Sequence, residues 1–242
     1  MRRFLVLAKA TMLMHVRNRT TLFWNFAFPI GLILLYGVLW PSAIAWLAAG
    51  IAVLNIMSSG LLGDSTRLAN LRERGILRRV QATPLPTWQL IAAYVVTRLL
   101  LVLAQCTAII ATAALVYHAE FTWSGLVVAL PLAIVGGLVF LALGQLISAI
   151  APTSGAAGAI GQVVYFPLMF VSNLFVPIEQ LPAWLMRISQ WTPATMLVDL
   201  LRPALVPVPA QQSMLFTLVG LAVYGFVALF LAARLFRWEP TN

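Results

Sequence analysis

At 242 residues, 62% hydrophobic and only 9% charged, with a mean hydropathy of +0.97, the chain lacks the composition of a soluble domain, where roughly a quarter of residues carry charge. The net charge of +9 does not mark a nucleic-acid binder, because the basic residues sit beside apolar runs, where orientation in a bilayer explains them. Cys106 is the only cysteine and lies inside an apolar run, so no intrachain disulfide forms.

The start, Met1-Arg2-Arg3-Phe4-Leu5-Val6-Leu7-Ala8-Lys9-Ala10, has the outline of a secretion signal. Its apolar core, Phe4 to Ala8, is shorter than the roughly 7–15 residues such a region needs. Residues 1–20 are instead expected to form an interfacial helix leading into the first span. Runs of about 20 apolar residues, enough to cross a bilayer, follow at about 22–40, 44–63, 90–117, 125–150, 156–176 and 215–236. Trp40-Pro41-Ser42 makes the first turnaround abrupt, and Ala151-Pro152-Thr153-Ser154-Gly155 makes a tight turn between the fourth and fifth spans. No polar stretch is long enough for a separate soluble domain. The expectation is one all-α transmembrane domain over 1–242 with six spans.

Orientation follows from the sidedness of Arg and Lys. Arg2, Arg3, Lys9, Arg17, Arg19, Arg67, Arg72, Arg74, Arg78, Arg79, Arg234 and Arg237 fall on one side, against Arg187 and Arg202 on the other. Both termini are therefore expected in the cytoplasm. The near-exclusive use of Arg over Lys points to a GC-rich bacterial genome, and so to a bacterial inner membrane.

The loop after the second span carries the most information: Arg72-Glu73-Arg74-Gly75-Ile76-Leu77-Arg78-Arg79-Val80-Gln81-Ala82-Thr83-Pro84-Leu85-Pro86. It reads as a short basic helix that Pro84 and Pro86 end, since proline lacks the amide donor and clashes with the preceding turn. Positive-inside anchoring accounts for the arginines taken alone. The Glu73-x-Gly75 spacing and the Thr83-Pro84 exit favour a docking helix for a soluble partner.

Within the third span, Arg98 either snorkels back to the interface or faces a transport path and holds an anionic group. Asn55, Gln105, Gln145, Gln162 and Asn173 fit interhelical hydrogen bonding, with Asn55 and Gln105 as candidates to line a path. Gly155, Gly158 and Gly161 allow close helix contact at the start of the fifth span. The outer segment from Pro177 to about Gln211 is aromatic and rich in proline. It is expected to form short helices that dip into the outer leaflet, each broken at a Pro and buried in protein. In it, Asp199 and Arg202 are spaced to pair on one helix face. With Glu179 they are candidates for an outer gate.

His15 and His118 lie far apart without Cys or carboxylate clusters, so no metal site is expected, and no nucleophile–base–acid set points to catalysis. No Gly-x4-Gly-Lys-Ser/Thr phosphate loop is present, so the chain is not expected to be an ATPase. Glu73 inside and Glu120 and Glu179 outside are poor carriers for a proton relay, which disfavours an ion-coupled carrier. A non-transporting membrane scaffold stays open.

The loop from Arg72 to Leu85 resembles the coupling loop of the membrane permeases of type-2 ABC transporters. A second stretch, Phe175-Val176-Pro177-Ile178-Glu179-Gln180-Leu181-Pro182-Ala183-Trp184-Leu185, continuing to Thr192-Pro193 and Val198-Asp199-Leu200-Leu201-Arg202, is similar to that family's outer segment before the last span. The short Trp40-Pro41-Ser42 link departs from the longer outer excursion of many members. The resemblance implies two permease copies resting on two ATPase subunits that bind ATP and Mg, with no cofactor on this chain. It also implies that 72–83 is the coupling helix, docking Arg72, Glu73, Arg74, Gly75, Leu77, Arg78, Arg79, Thr83 and Pro84 on the ATPase. There Glu73 would pair with a basic group, Arg78 and Arg79 with acidic ones, and Gly75 would allow close backbone approach. Export of a hydrophobic drug-like or lipid-like molecule is the implied activity, with a lipid-linked polysaccharide second.

Overall fold

A computed structural model describes residues 9, 12–13, 17, 19–77, 87–177, 180 and 182–235. Most of the expected interfacial helix over 1–20, and the candidates Arg78, Arg79, Thr83, Pro84 and Glu179, lie outside the described residues.

In hydrocarbon a backbone amide finds no water, so each apolar run must satisfy its own hydrogen bonds, and a helix does so within one segment. The described elements are α1 (Arg19–Leu39), α2 (Ile44–Ser58), α3 (Ser65–Glu73), α4 (Thr87–Tyr117), α5 (Trp123–Ile150), α6 (Ser154–Val171), α7 (Ala183–Ser189), α8 (Pro193–Leu205) and α9 (Met214–Leu235). A 3₁₀ turn at Pro41–Ala43 makes the abrupt first link, and a π turn at Ser59–Asp64 joins α2 to α3. Among the described residues, six helical segments are long and apolar enough to cross a membrane. The fold is that of an all-α integral membrane protein.

Two boundaries differ from the reading of apolar runs. The second span does not stop near 63 but runs helically from Pro41 to Glu73, 33 residues. At 1.5 Å per residue that rod is about 50 Å long, against a hydrocarbon core of about 30 Å, so α3 projects past the core. The fifth span stops at Val171, where Ser172 turns extended (ψ 151).

α2 is apolar on every side, and from Leu47 to Met57 its residues are buried, which marks a central helix. It packs against α1, α4, α5 and α8. Where α5 crosses the π turn, backbone meets backbone: a Cβ on Gly60 would collide with the Phe140 carbonyl, and one on Gly144 with the Gly60 carbonyl. Small residues permit that approach. The outward faces of α1, α6 and α9 expose Phe23, Trp24, Val163, Phe170, Phe226 and Phe230, as apolar as a bilayer-spanning surface requires.

The outer segment forms short helices at prolines as expected. Thr192 caps α8 by accepting from the Thr195 amide, and Pro193 sits at its first position, where its missing N–H costs nothing. α8 is nevertheless a core element, buried from Pro193 to Arg202 between α2, α5 and α9.

Candidate functional site

The arginine loop is built on the end of α3. Gly75 follows that helix with φ +66, its amide donating to the Arg72 carbonyl at 2.9 Å, while the Arg74 amide donates to Asn70 at 3.0 Å. A left-handed residue just past the last turn is how helices commonly end. Nothing of this chain lies within 4 Å of a Cβ built on Gly75, so within the chain this glycine serves its backbone angle, and its face is open. The helix expected over 72–83 is accordingly broken after Glu73; Ile76 and Leu77 are helical again.

Arg72 reaches inward to the α5–α6 turn, and Glu73, which stays exposed, reaches across its surface to the same turn. Arg72 is 2% exposed. Its Nη1 donates to the Ser148 carbonyl at 2.9 Å, and its Nη2 to the carbonyls of Ala151 and of Pro152, the latter at 3.3 Å. Those oxygens belong to the last turn of α5 and the link after it, which have no partner within the helix and carry its negative dipole end. Glu73 does the reverse. Its Oε1 accepts from the Ser154 amide at 2.8 Å and its Oε2 from the Ser154 hydroxyl at 2.6 Å, at the positive first turn of α6. Two adjacent side chains of opposite charge thus hold two helix ends of opposite polarity. Arg72, expected to face a partner, is buried and occupied within the chain. Arg74 and Ile76 are exposed, and Leu77 is buried.

Arg98 does not snorkel. It is buried, its Nε 2.5 Å from Asp64 Oδ1, with Nη2 donating to the Ser59 carbonyl at 3.1 Å and hydroxyl at 2.9 Å. The Tyr94 hydroxyl donates to the same Asp64 oxygen at 2.5 Å, and the Arg67 guanidinium lies over the Tyr94 ring, 5.4 Å from its centroid. The anionic group that Arg98 holds is therefore Asp64 of its own chain, at the end of the π turn. Sequence reading missed Asp64. The signal was there: a charge inside an apolar rod needs a partner, and Arg98 was the nearest one in another span.

Asn55 and Gln105 come together. The Asn55 amide donates to Gln105 Oε1 at 3.0 Å, and Gln105 Nε2 donates to the Asn25 carbonyl at 3.1 Å. The Asn25 carbonyl is the one left without a helical donor by Pro29, four residues on, which has no N–H. The chain α2–α4–α1 therefore closes a gap opened by a proline, matching the hydrogen-bonding account of these residues.

At the far end, Arg202 lies over the Trp46 ring at 3.6 Å and donates through Nη2 to the carbonyls of Asn173 (2.8 Å) and Leu174 (3.3 Å). Asp199, one turn earlier on α8, is buried on the same face. Both gate candidates sit inside the protein rather than on an open outer loop. Gly161 packs against the π turn, where a Cβ would meet the Leu61 carbonyl.

Among the described residues no cluster of three His, Cys, Asp or Glu could hold a metal. The polar groups tie helices to one another, and Glu73 and Arg74 are exposed at the end of α3. These features define a multi-pass helical membrane protein of the permease kind. The chain belongs to the ABC-2 type transporter family, whose model matches residues 2–206.

Relatives agree with that membership. Nodulation protein J of Rhizobium leguminosarum bv. viciae is 30% identical over 48% of this chain and 44% of its own length. YvfS of Bacillus subtilis (strain 168), whose name assigns it to the transport permeases, is 27% identical over 74% of this chain and 76% of its own. YbhR of Escherichia coli (strain K12), whose name assigns it to the multidrug ABC transporter permeases, is 28% identical over 58% of this chain and 38% of its own. The matched stretches span less than half of two of these three relatives.

Proposed function

We propose that the chain is the membrane permease of an ATP-driven ABC exporter: one transmembrane domain, paired with a second copy of itself and powered by a separate ABC ATPase that binds ATP and Mg. One observation carries this reading. The central helix α2 continues through the π turn into α3 and ends beyond the membrane core in the arginine loop, so a force on that loop reaches the middle of the bundle. A rigid element joining a partner's surface to packed spans is what transmits a domain motion. The docking face comprises the exposed Arg74 and Ile76 together with Arg78, Arg79, Thr83 and Pro84.

Arg98, Asn55 and Gln105 act behind the path, holding its helices in register, and Asp199 and Arg202 with Glu179 set its outer end. The arginine bias supports an orientation with both termini in the cytoplasm of a bacterial inner membrane. A hydrophobic drug-like or lipid-like substrate moved outward fits the apolar bundle, and YbhR's name supports the drug-like class.

The test is affinity purification of the detergent-solubilised chain from its own membranes, beside an Arg74/Arg78/Arg79→Ala variant. The expected outcome is a co-purifying ATP-hydrolysing protein that the variant loses. A wild-type chain that brings down no ATPase overturns the reading in favour of a carrier or scaffold.

A further inference from the structure

We propose that Arg72 and Glu73 are positioning residues forming a transmission clamp: they carry motion of the arginine loop into the α5–α6 hairpin, two spans the loop does not itself join. The proposal rests on the ATPase-driven reading above and deepens it.

The loop is covalently continuous with α3 and leads toward α4, so docking alone would act on those spans. The clamp adds a second output. Arg72 gathers carbonyls of Ser148, Ala151 and Pro152, which lie on both sides of the end of α5. Glu73 holds the first residue of α6 through its amide and its hydroxyl. Between them the whole α5–α6 turn is gripped from one pair of neighbouring Cα atoms. α3 also packs along α6, with Ala69 fully buried, which sets its end beside the turn that its two charged side chains hold. Charge-assisted hydrogen bonds of this kind are the stronger and more directional ones. Each helix end is also held by the charge its dipole favours.

A decisive variant lies on the receiving side. Ser154 is the first residue of α6, after the cap Thr153, which is extended (φ −130, ψ 164). Proline is welcome at a helix's first position, and an extended residue suits the place before it. Ser154→Pro therefore removes the amide and the hydroxyl that Glu73 accepts from, while leaving α6 and the docking face intact. Glu73→Gln is the complementary variant. Its amide oxygen still accepts from the Ser154 N–H and its NH2 can donate to the Ser154 hydroxyl, so the tether survives without the charge.

The experiment uses the permease–ATPase complex in lipid nanodiscs, with Cys106→Ala and the exposed Gly155 in the first turn of α6 replaced by cysteine. Maleimide labelling rates are compared without nucleotide and after vanadate trapping of ATP. In the parent complex the two rates differ several-fold. Ser154→Pro brings their ratio to about one while the ATPase stays bound and still hydrolyses ATP, Ser154→Ala falls between, and Glu73→Gln keeps the parent ratio. A parent ratio of one with the ATPase bound, or an unchanged ratio in Ser154→Pro, overturns the clamp and leaves the permease reading standing. If no ATPase binds the parent chain, both fall.

Discussion

At the scale of single residues, the buried polar side chains explain one another once they are placed. Arg98 and Asp64 stand in different helices and share one contact at 2.5 Å. Removing one partner of a buried pair leaves an uncompensated charge and costs about 3–5 kcal/mol, whereas replacing both with apolar groups is often near neutral. Arg98→Leu is therefore expected to lower the thermal midpoint in detergent sharply, and Asp64→Leu added to it to recover most of the loss. If the double variant is as unstable as the single one, the pair is not what holds α4 to the π turn. Gln105 illustrates what a sequence does and does not disclose. A polar residue in a span announces a hydrogen bond, but its partner, the Asn25 carbonyl freed by Pro29, depends on how α1 and α4 are rotated against each other.

Elements end and bend where the chain supplies the means. α3 ends just before Gly75 (φ 66), and α4 ends just before His118 (φ 53), each with a left-handed residue past the helix end, and Ala119 donates back to the Ala113 carbonyl at 3.2 Å. An L-residue in the left-handed region costs roughly 1–2 kcal/mol, and asparagine less. Gly75→Ala is expected to destabilise by about that amount and Gly75→Asn by clearly less, measured by thermal unfolding in detergent. Equal effects would mean that the side chain, not the backbone angle, matters at 75. The glycine itself was legible as special in the Glu73-x-Gly75 spacing, but its part in ending α3 was not, because that rests on a backbone angle that the spacing does not record. The span ends were similarly blurred. Hydropathy marks where apolar residues stop, yet the helix continues through Ser65–Glu73 because Ala69 and Arg72 are buried against α5 and α6.

For the whole molecule, the arrangement places α3 and the α5–α6 turn at one end of the bundle and the α4–α5 link at the other. With the arginine-rich end inside, Glu120→Cys in a Cys106→Ala background reacts with a membrane-impermeant maleimide on intact cells, and Arg74→Cys reacts only after permeabilisation. The opposite pattern inverts the orientation and removes the docking face from the ATPase's compartment. The exposed apolar faces of α1, α6 and α9 form the outside of the bundle, while α2 and α8 form the interior on which the outer candidates Asp199 and Arg202 rest.

Composition and long apolar runs, by themselves, determined the all-helical class, the six spans and the tight links at Pro41 and Pro152. These are local properties: a bilayer admits few backbone solutions, and a run of about 20 apolar residues selects one of them. Tertiary structure alone decided that α8 packs between α2, α5 and α9, that Arg98 meets Asp64, that Arg72 turns inward to Ser148 and Ala151, and that the exposed Glu73 reaches Ser154. Each of these contacts joins residues tens of positions apart, and the side that a charged group faces is set by what packs against its helix, which the order of residues along one helix does not record.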